Sequence, residues 1–149
     1  MRYFEDYEEG RLERFGAYPV TREEVVDFAT RYDPQAFHLD DAAAAANPIF
    51  GRLAASGWHT CALVMRMLTD HWSESGHLSL GGTGVDELRW VKPVYPGDVL
   101  SVEAEVLSKS APRSKPDIGF VNFRLAVFNQ DGELVVAMKV TNIQQRRPA

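Results

Sequence analysis

Residues 57–72, GWHTCALVMRMLTDHW, constrain the fold more than any other stretch of the chain. On a helical period, Trp58, Cys61, Ala62, Met65, Leu68 and Trp72 make one apolar face. Leu63, Val64 and Met67 widen it almost all the way round the first three turns. A helix that is apolar on nearly every side is expected to be buried on nearly every side, so something must wrap it. The wrapping material follows directly, because from about residue 82 the apolar period falls to two. Val102, Ala104 and Val106 alternate with Ser101, Glu103 and Glu105, and Val121, Phe123, Leu125 and Val127 share one face. Asp131-Gly132 is a hairpin signal, followed by Leu134, Val136, Met138 and Val140 at the same spacing. Pro96-Gly97-Asp98 reads as a turn, SKSAPRSKPD (108–117) as a polar loop, and Arg11–Tyr18 as an earlier strand. The expectation is an α+β domain in which an antiparallel meander wraps a long central helix.

The first half supplies two more helices. Thr21 and Glu24 have the spacing of a capping box, and Val20 and Val25 that of a hydrophobic staple. Val25, Phe28, Ala29 and Tyr32 then fall on one face, and Pro34 stops the helix. Asp40 is placed to cap a short helix, DDAAAAA, which Asn47-Pro48 ends, and Ser56 to cap the long one. With 149 residues and no internal repeat or linker, residues 1–149 read as a single domain.

Composition narrows the function classes. Lys and Arg number 16 against 21 Asp and Glu, a net charge of −5, which argues against nucleic acid as the main partner. No apolar run approaches the roughly 20 residues of a membrane span. The acidic N-terminus, MRYFEDYEEGR, resembles neither a signal peptide nor a transit peptide, and the single Cys61 has no internal disulfide partner. A cytoplasmic domain without a membrane partner is expected. His59, His71 and His77 lie in or near the long helix without the spacing of a zinc site, so no metal is expected.

Two segments carry candidate chemistry. In Tyr32-Asp33-Pro34-Gln35-Ala36-Phe37-His38 a carboxylate and an imidazole stand five residues apart in an irregular turn after a helix end. Such a pair can hold a water and move a proton; equally, Asp33 can cap a turn while His38 packs at a loop edge. In Phe50-Gly51-Arg52-Leu53-Ala54-Ala55-Ser56-Gly57-Trp58 small residues lead into the long helix. Its unpaired N-terminal amides can polarise a carbonyl, with Gly57 admitting a ligand close to the backbone. Equally, the small residues let the helix enter the sheet tightly.

Asp33-x4-His38, then Phe50-Gly51-x-x-Ala54-Ala55-Ser56-Gly57-Trp58, then Leu88-Arg89-Trp90-Val91-Lys92-Pro93-Val94-Tyr95-Pro96-Gly97-Asp98, in this order, resemble the MaoC-like dehydratase family, relatives of the (R)-specific enoyl-CoA hydratases. The chain departs from the hydratase pattern Gly-Asp-x-Asn-Pro-x-His at Tyr32, Gln35 and Ala36. The resemblance implies a single hot-dog fold and a homodimer. It implies hydration of a 2-enoyl thioester to an (R)-3-hydroxyacyl thioester, as in fatty-acid metabolism, without a separate cofactor. Asp33 and His38 would be the acid–base pair and the Gly57 amide would hold the thioester oxygen. Ser56, Trp58, Phe50, Arg52, Arg89 and Lys92 are the expected substrate-binding residues, with Met65 and Leu53 as further tunnel candidates. Arg52, Arg89, Lys92, Arg113 and Lys115 are candidates for the phosphates of CoA, although an acyl carrier protein is an equal carrier. Two other readings stand beside this one. A thioesterase would need a carboxylate in the middle of the long helix, where Cys61–Leu68 has none. A non-catalytic acyl-thioester-binding subunit would keep the fold without the reaction.

Overall fold

Thr21 opens the first helix by accepting a hydrogen bond from the Glu24 amide at 3.3 Å. The reciprocal half of the capping box does not form, because the Glu24 carboxylate accepts the Tyr18 hydroxyl instead. Both staple residues, Val20 and Val25, are buried. Asp40 caps the short helix through the Ala43 amide at 2.8 Å. The computed structural model describes residues 1–148. Their elements run from a 3-10 turn at Phe4–Asp6 through β1 (Leu12–Pro19), α1 (Arg22–Tyr32), a 3-10 turn at Ala36–His38, α2 (Asp41–Ala46) and α3 (Gly57–Ser75). Four long strands follow: β2 (Ser79–Trp90), β3 (Val99–Ser110), β4 (Ile118–Phe128) and β5 (Leu134–Gln145).

The sheet is antiparallel, in the order β1-β3-β4-β5-β2. Only β3, β4 and β5 form the expected meander, since β2 pairs with β5 and leaves its own outer edge open. Leu63, Val64, Met67 and Leu68 of α3 share one core with Val102, Val106, Val121, Phe123, Leu125 and Val136 of the sheet. This is the hot-dog arrangement. The long helix is not buried all round, however. Trp58 remains 60% and Met65 48% exposed, because a five-stranded sheet from one chain covers one side of α3. The apolar face of α1 also ends early, with Tyr32 exposed and packed only against Phe28.

Pro96-Gly97-Asp98 ties the two halves together. Gly97 takes φ +97°, the Val20 and Gly97 backbones are joined by Val20 N–H to Asp98 O and Gly97 N–H to Val20 O, both 2.8 Å, and the buried Asp98 carboxylate accepts the Tyr95 amide. At the far end of α3, His71 and His77 come together with Glu13, their ligand atoms within 4.8 Å of one another, an arrangement that spacing did not reveal. The Arg2 guanidinium bonds Glu13 at 2.6 Å and His77 Nε2 at 2.9 Å, and His77 Nδ1 faces the Tyr7 hydroxyl at 2.8 Å. This cluster fastens the N-terminus to the end of α3. Burial and the Arg2 charge push His77 down to about 4. Burial acts to raise Glu13, but the bonds from His71 and Arg2 outweigh it and hold the carboxyl at about 2.

Both shifts are downward, so both contribute stability that is complete above the ordinary pKa and is lost as pH falls through the folded one. His77 contributes this loss between its ordinary 6.5 and about 4, and Glu13 between 4.5 and about 2. The thermal midpoint should therefore fall steadily on acidification below about 6.5. His77→Gln should flatten the upper part of that fall, and a midpoint independent of pH across this range would contradict the assignment.

Candidate functional site

The irregular turn expected between the first two helices brings Asp33 and His38 together. Asp33 ends α1, with its amide bonded to Ala29 O at 2.9 Å, and His38 closes the 3-10 turn that Gln35 begins. His38 Nε2 lies 3.4 Å from Asp33 Oδ2. On the other side of the ring, Nδ1 is 2.7 Å from the carbonyl oxygen of Ala54, in a buried bond. A carbonyl can only accept, so Nδ1 carries a hydrogen, and Nε2 is the ring atom that faces Asp33. Gln35 Nε2 donates to Asp33 Oδ1 at 2.8 Å, so the residue that departs from the hydratase pattern still orients the carboxylate.

Burial acts to raise the Asp33 carboxyl, but the Ser56 hydroxyl, the Gln35 amide and the His38 ring outweigh it and hold it below its ordinary value. Ser56 Oγ is fully buried and meets no geometric hydrogen bond, so its effect on Asp33 is one of proximity. It occupies the N-cap position of α3 but makes no capping bond. Whenever the His38 ring is neutral, its Nε2 and the Asp33 carboxylate are two acceptors facing one point. The small molecule that satisfies both is a water, which has two hydrogens to donate.

Ala54 belongs to the segment that enters α3, and the next amide, Ala55 N–H, bonds Val94 O at 2.8 Å. These two contacts bring the pair, the start of α3 and the strand-like segment 91–94 around one cavity of about 460 Å³. Asp33, His38, Gly57, Phe50, Trp58 and Lys92 all line it. Phe50 stacks on Phe37 with ring centres 5.1 Å apart, and the Tyr95 hydroxyl holds the Phe50 carbonyl at 2.8 Å.

Other expected binding residues stand outside its lining. Ser56, Arg52 and Arg89 are not among the residues lining the cavity. Arg52 lies 3.9 Å over the Tyr95 ring, and Arg89 donates to the Leu88 carbonyl. Leu53 is plain core, and Met65 lines neighbouring cavities instead. Lys92 is ion-paired with Glu133 at 2.5 Å. By contrast Arg52, Arg89, Arg113 and Lys115 have no carboxylate within 4.0 Å among the described residues, which leaves their charge available to an anion. A larger depression of about 710 Å³ lies at the Glu13 cluster, but its arginines are already ion-paired, Arg2 and Arg11 with Glu13, Arg147 with Asp6 and Arg14 with Glu103 on β3. The middle of α3 brings no carboxylate to the 460 Å³ cavity, where Asp33 is the acid. Asp70, further along, pairs with Arg66 at the surface.

The space over Gly57 is not left for a ligand. A Cβ there would lie 2.5–2.8 Å from the indole ring of Trp90, whose Nε1–H donates to the Gly57 carbonyl at 3.0 Å. Glycine is required at this position by the tryptophan, while the Gly57 N–H, at the first position of α3, has no acceptor within the helix. Sequence reasoning gave no role to His59, which is buried and stacked on Phe28, with neither ring nitrogen hydrogen-bonded and Nε2 4.0 Å from a Glu24 carboxylate oxygen. Burial lowers its pKa, so it stays neutral.

Comparison with known proteins agrees with this fold. Residues 7–118 match the family described as MaoC like domain. The uncharacterized protein YdeM of Bacillus subtilis (strain 168) is 30% identical over 139 residues, covering 87% of this chain and 94% of its own. The crystal structure of the MaoC-like dehydratase from Rhodospirillum rubrum superposes with a TM-score of 0.85 at 35% identity, covering all of both chains. The R-hydratase PhaJ1 from Pseudomonas aeruginosa superposes with a TM-score of 0.70 at 27% identity, covering 97% of this chain and 86% of that one.

Gly57→Ala should lower stability by about 1 kcal/mol. Overpacking against the indole costs about 1–3 kcal/mol, and the better helix propensity of alanine returns up to about 1 kcal/mol of it. Urea unfolding of the single and double variants tests the contact. In a Trp90→Ala background the same substitution should become neutral or stabilising, and an equal cost in both backgrounds would contradict it.

Proposed function

We propose that this chain, which belongs to the MaoC-like domain family, catalyses the reversible addition of water to a 2-enoyl thioester, giving the (R)-3-hydroxyacyl thioester. The observation that carries the reading is the pair of acceptors, Asp33 carboxylate and His38 Nε2, 3.4 Å apart on the wall of a largely apolar cavity. Relatives of known kind agree in chemistry: the R. rubrum neighbour is a MaoC-like dehydratase and the P. aeruginosa neighbour an R-hydratase.

In the hydration direction, the pair holds one water with its two hydrogens directed to Asp33 and to His38. The water oxygen bonds to C3 of the acyl group as His38 Nε2 takes one of its protons, and the π electrons of C2=C3 move onto the thioester as an enolate. The Gly57 N–H, at the positive end of α3, donates to that oxygen as its charge grows. The enolate collapses as C2 takes the proton from His38, so both parts of one water add to the same face and His38 returns to neutral. Asp33, held ionised, keeps the water in place and stabilises the imidazolium while it lasts. The carbonyl of Ala54 fixes the ring so that Nε2, and no other atom, faces the reaction.

The carrier of the acyl group is read from charge. CoA brings several phosphates to a protein of net charge −5, so local cations must receive them. Arg52 is the best placed. It is unpaired, held flat over Tyr95 and one residue beyond the Phe50-Gly51 loop that walls the cavity.

The outer edge of β2 is unpaired, and Leu80, Trp90 and Val91 on or beside it are about half exposed. An open edge with exposed apolar side chains is a surface that proteins cover. We infer a homodimer that joins two such edges.

Asp33→Asn and His38→Gln should each reduce hydration of crotonyl-CoA by about 10²–10⁴-fold while leaving the fold intact by circular dichroism. Wild-type rates in both variants would overturn the mechanism. Light scattering should give a mass of twice 16.7 kDa, and a monomer at micromolar concentration would overturn the dimer.

A further inference from the structure

We propose that Glu13, His71 and His77 form a binding site for a divalent cation of the zinc class, in which the Arg2 guanidinium is the occupant that the metal displaces. The site stands apart from the hydration reading. It lies at the Ser75 end of α3, about 27 Å from Gly57 at about 1.5 Å of rise per residue, so no step of that reaction passes through it.

Three elements far apart in sequence supply the ligands. Glu13 comes from β1, His71 from the last turns of α3 and His77 from the segment that leads into β2. Their ligand atoms lie within 4.8 Å of one another, with His71 Nε2 and Glu13 Oε2 at 2.8 Å. A tetrahedral zinc site, with bonds of about 2.0–2.1 Å, sets its ligand atoms about 3.3 Å apart, so small side-chain movements bring this set to a metal. Two imidazoles and one carboxylate suit zinc, cobalt or nickel, whereas magnesium and calcium take oxygen ligands. Three protein ligands leave one position for water.

The two rings are already oriented for a metal. An arginine has only donors, so His77 Nε2, 2.9 Å from Arg2 Nη1, presents a lone pair. His77 Nδ1 then carries the hydrogen and donates to the Tyr7 hydroxyl at 2.8 Å, the kind of second bond that fixes metal-ligating histidines. His71 lies flat on Phe15, with ring centres 4.1 Å apart and planes 2° apart, and this stack sets the plane in which its Nε2 meets Glu13. That Nε2 donates to the carboxylate, so for a metal bond its hydrogen passes to Nδ1 and the lone pair takes its place. Arg11 keeps the Glu13 carboxylate oriented through an ion pair at 3.0 Å.

Arg2 Nη1 bonds both Glu13 Oε1, at 2.6 Å, and His77 Nε2, so one corner of a guanidinium takes a cation's place among these ligands. The side chain can leave without unfastening the chain. The Arg2 backbone is held separately, by Arg2 N–H to Gly76 O at 2.7 Å and Leu78 N–H to Arg2 O at 3.3 Å. The space beside it is the open depression of about 710 Å³, which Arg2, Glu13 and His71 line and through which an ion reaches them. Two other arginines of that depression do not bar the way, since Arg14 is paired with Glu103 and Arg147 with Asp6. A dication bonded directly to three ligands has the advantage over a single charge held by two hydrogen bonds.

The experiment takes the full 149-residue chain without a tag, strips it with a chelator, and titrates it with zinc chloride in a calorimeter and with cobalt chloride under visible absorption. The wild type should bind one zinc per chain, and zinc should raise its thermal midpoint. Cobalt should develop the strong ligand-field bands of a site with fewer than six ligands. Arg2→Ala should tighten zinc binding about tenfold or more, the scale of one charged hydrogen bond that the metal no longer has to break. His71→Gln and Glu13→Gln should each weaken it at least about a hundredfold and abolish the cobalt bands, while circular dichroism without metal shows that the variants are folded. Should Glu13→Gln fail to fold, His71→Gln alone decides. Four results would overturn the proposal: no zinc bound by the wild type at millimolar concentration, binding that appears only in Arg2→Ala, binding undiminished in the folded ligand variants, or an equal rise in thermal midpoint with magnesium.

Discussion

The bond from His38 Nδ1–H to the carbonyl of Ala54, 2.7 Å long and buried, holds the candidate site together. It joins the turn that follows α1 to the segment that enters α3, across 16 residues of chain. It also orients the ring, because a ring nitrogen committed to a carbonyl must carry a hydrogen, which leaves Nε2 as the atom facing Asp33. One residue later, Ala55 N–H bonds Val94 O and brings in the segment between β2 and the Pro96-Gly97-Asp98 turn. The same turn is bonded to Val20 at the foot of α1. A short circuit of main-chain bonds thus closes around the cavity, and Asp33, His38 and Gly57 are positioned by backbone rather than by one another. Side-chain changes in the cavity wall can then alter substrate range without moving the reacting groups.

The tryptophans divide the labour at the start of α3. Trp90 packs so closely on Gly57 that any side chain there would collide with it, and its Nε1–H holds the Gly57 carbonyl. The first turn is thereby fixed where Gly57 lines the cavity. Trp58, one residue along, has no such anchor.

Much of the fold was legible in the sequence because the periods were strong. The alternation in 99–107, 121–127 and 134–140 and the helical face of 57–72 follow from one buried face per element, and β1 and all three helices appear where patterning places them. What patterning could not give was the amount of cover. Apolar residues all round α3 read as full burial, but Trp58 and Met65 are left open because a single chain has only five strands to wrap it. Nor could spacing show that β2 returns to pair with β5 rather than with β3. In the site, Asp33, His38, Gly57, Phe50 and Trp58 lay in segments whose residue types stood out, Lys92 in one that only the family resemblance singled out, and the fold gathers them round one cavity. Arg52 and Arg89 were grouped with them by the family resemblance and stand outside the cavity lining, Arg52 over the Tyr95 ring and Arg89 bonded to the Leu88 carbonyl. The reason glycine stands at 57 was hidden because Trp90 is distant in sequence. The meeting of Glu13, His71 and His77 was hidden because the sheet and helix ends that bring them together leave no local pattern.

The central claim is that one water, held between Asp33 and His38, supplies both groups that add to the double bond from one side. Hydration of crotonyl-CoA in deuterium oxide, with the product's configuration at C2 and C3 determined by NMR, tests it most directly. The account predicts a (3R)-hydroxybutyryl thioester carrying one deuterium at C2 on the same face as the new hydroxyl. An anti relation between deuterium and hydroxyl, a (3S) product, or release of free CoA without hydration would contradict it.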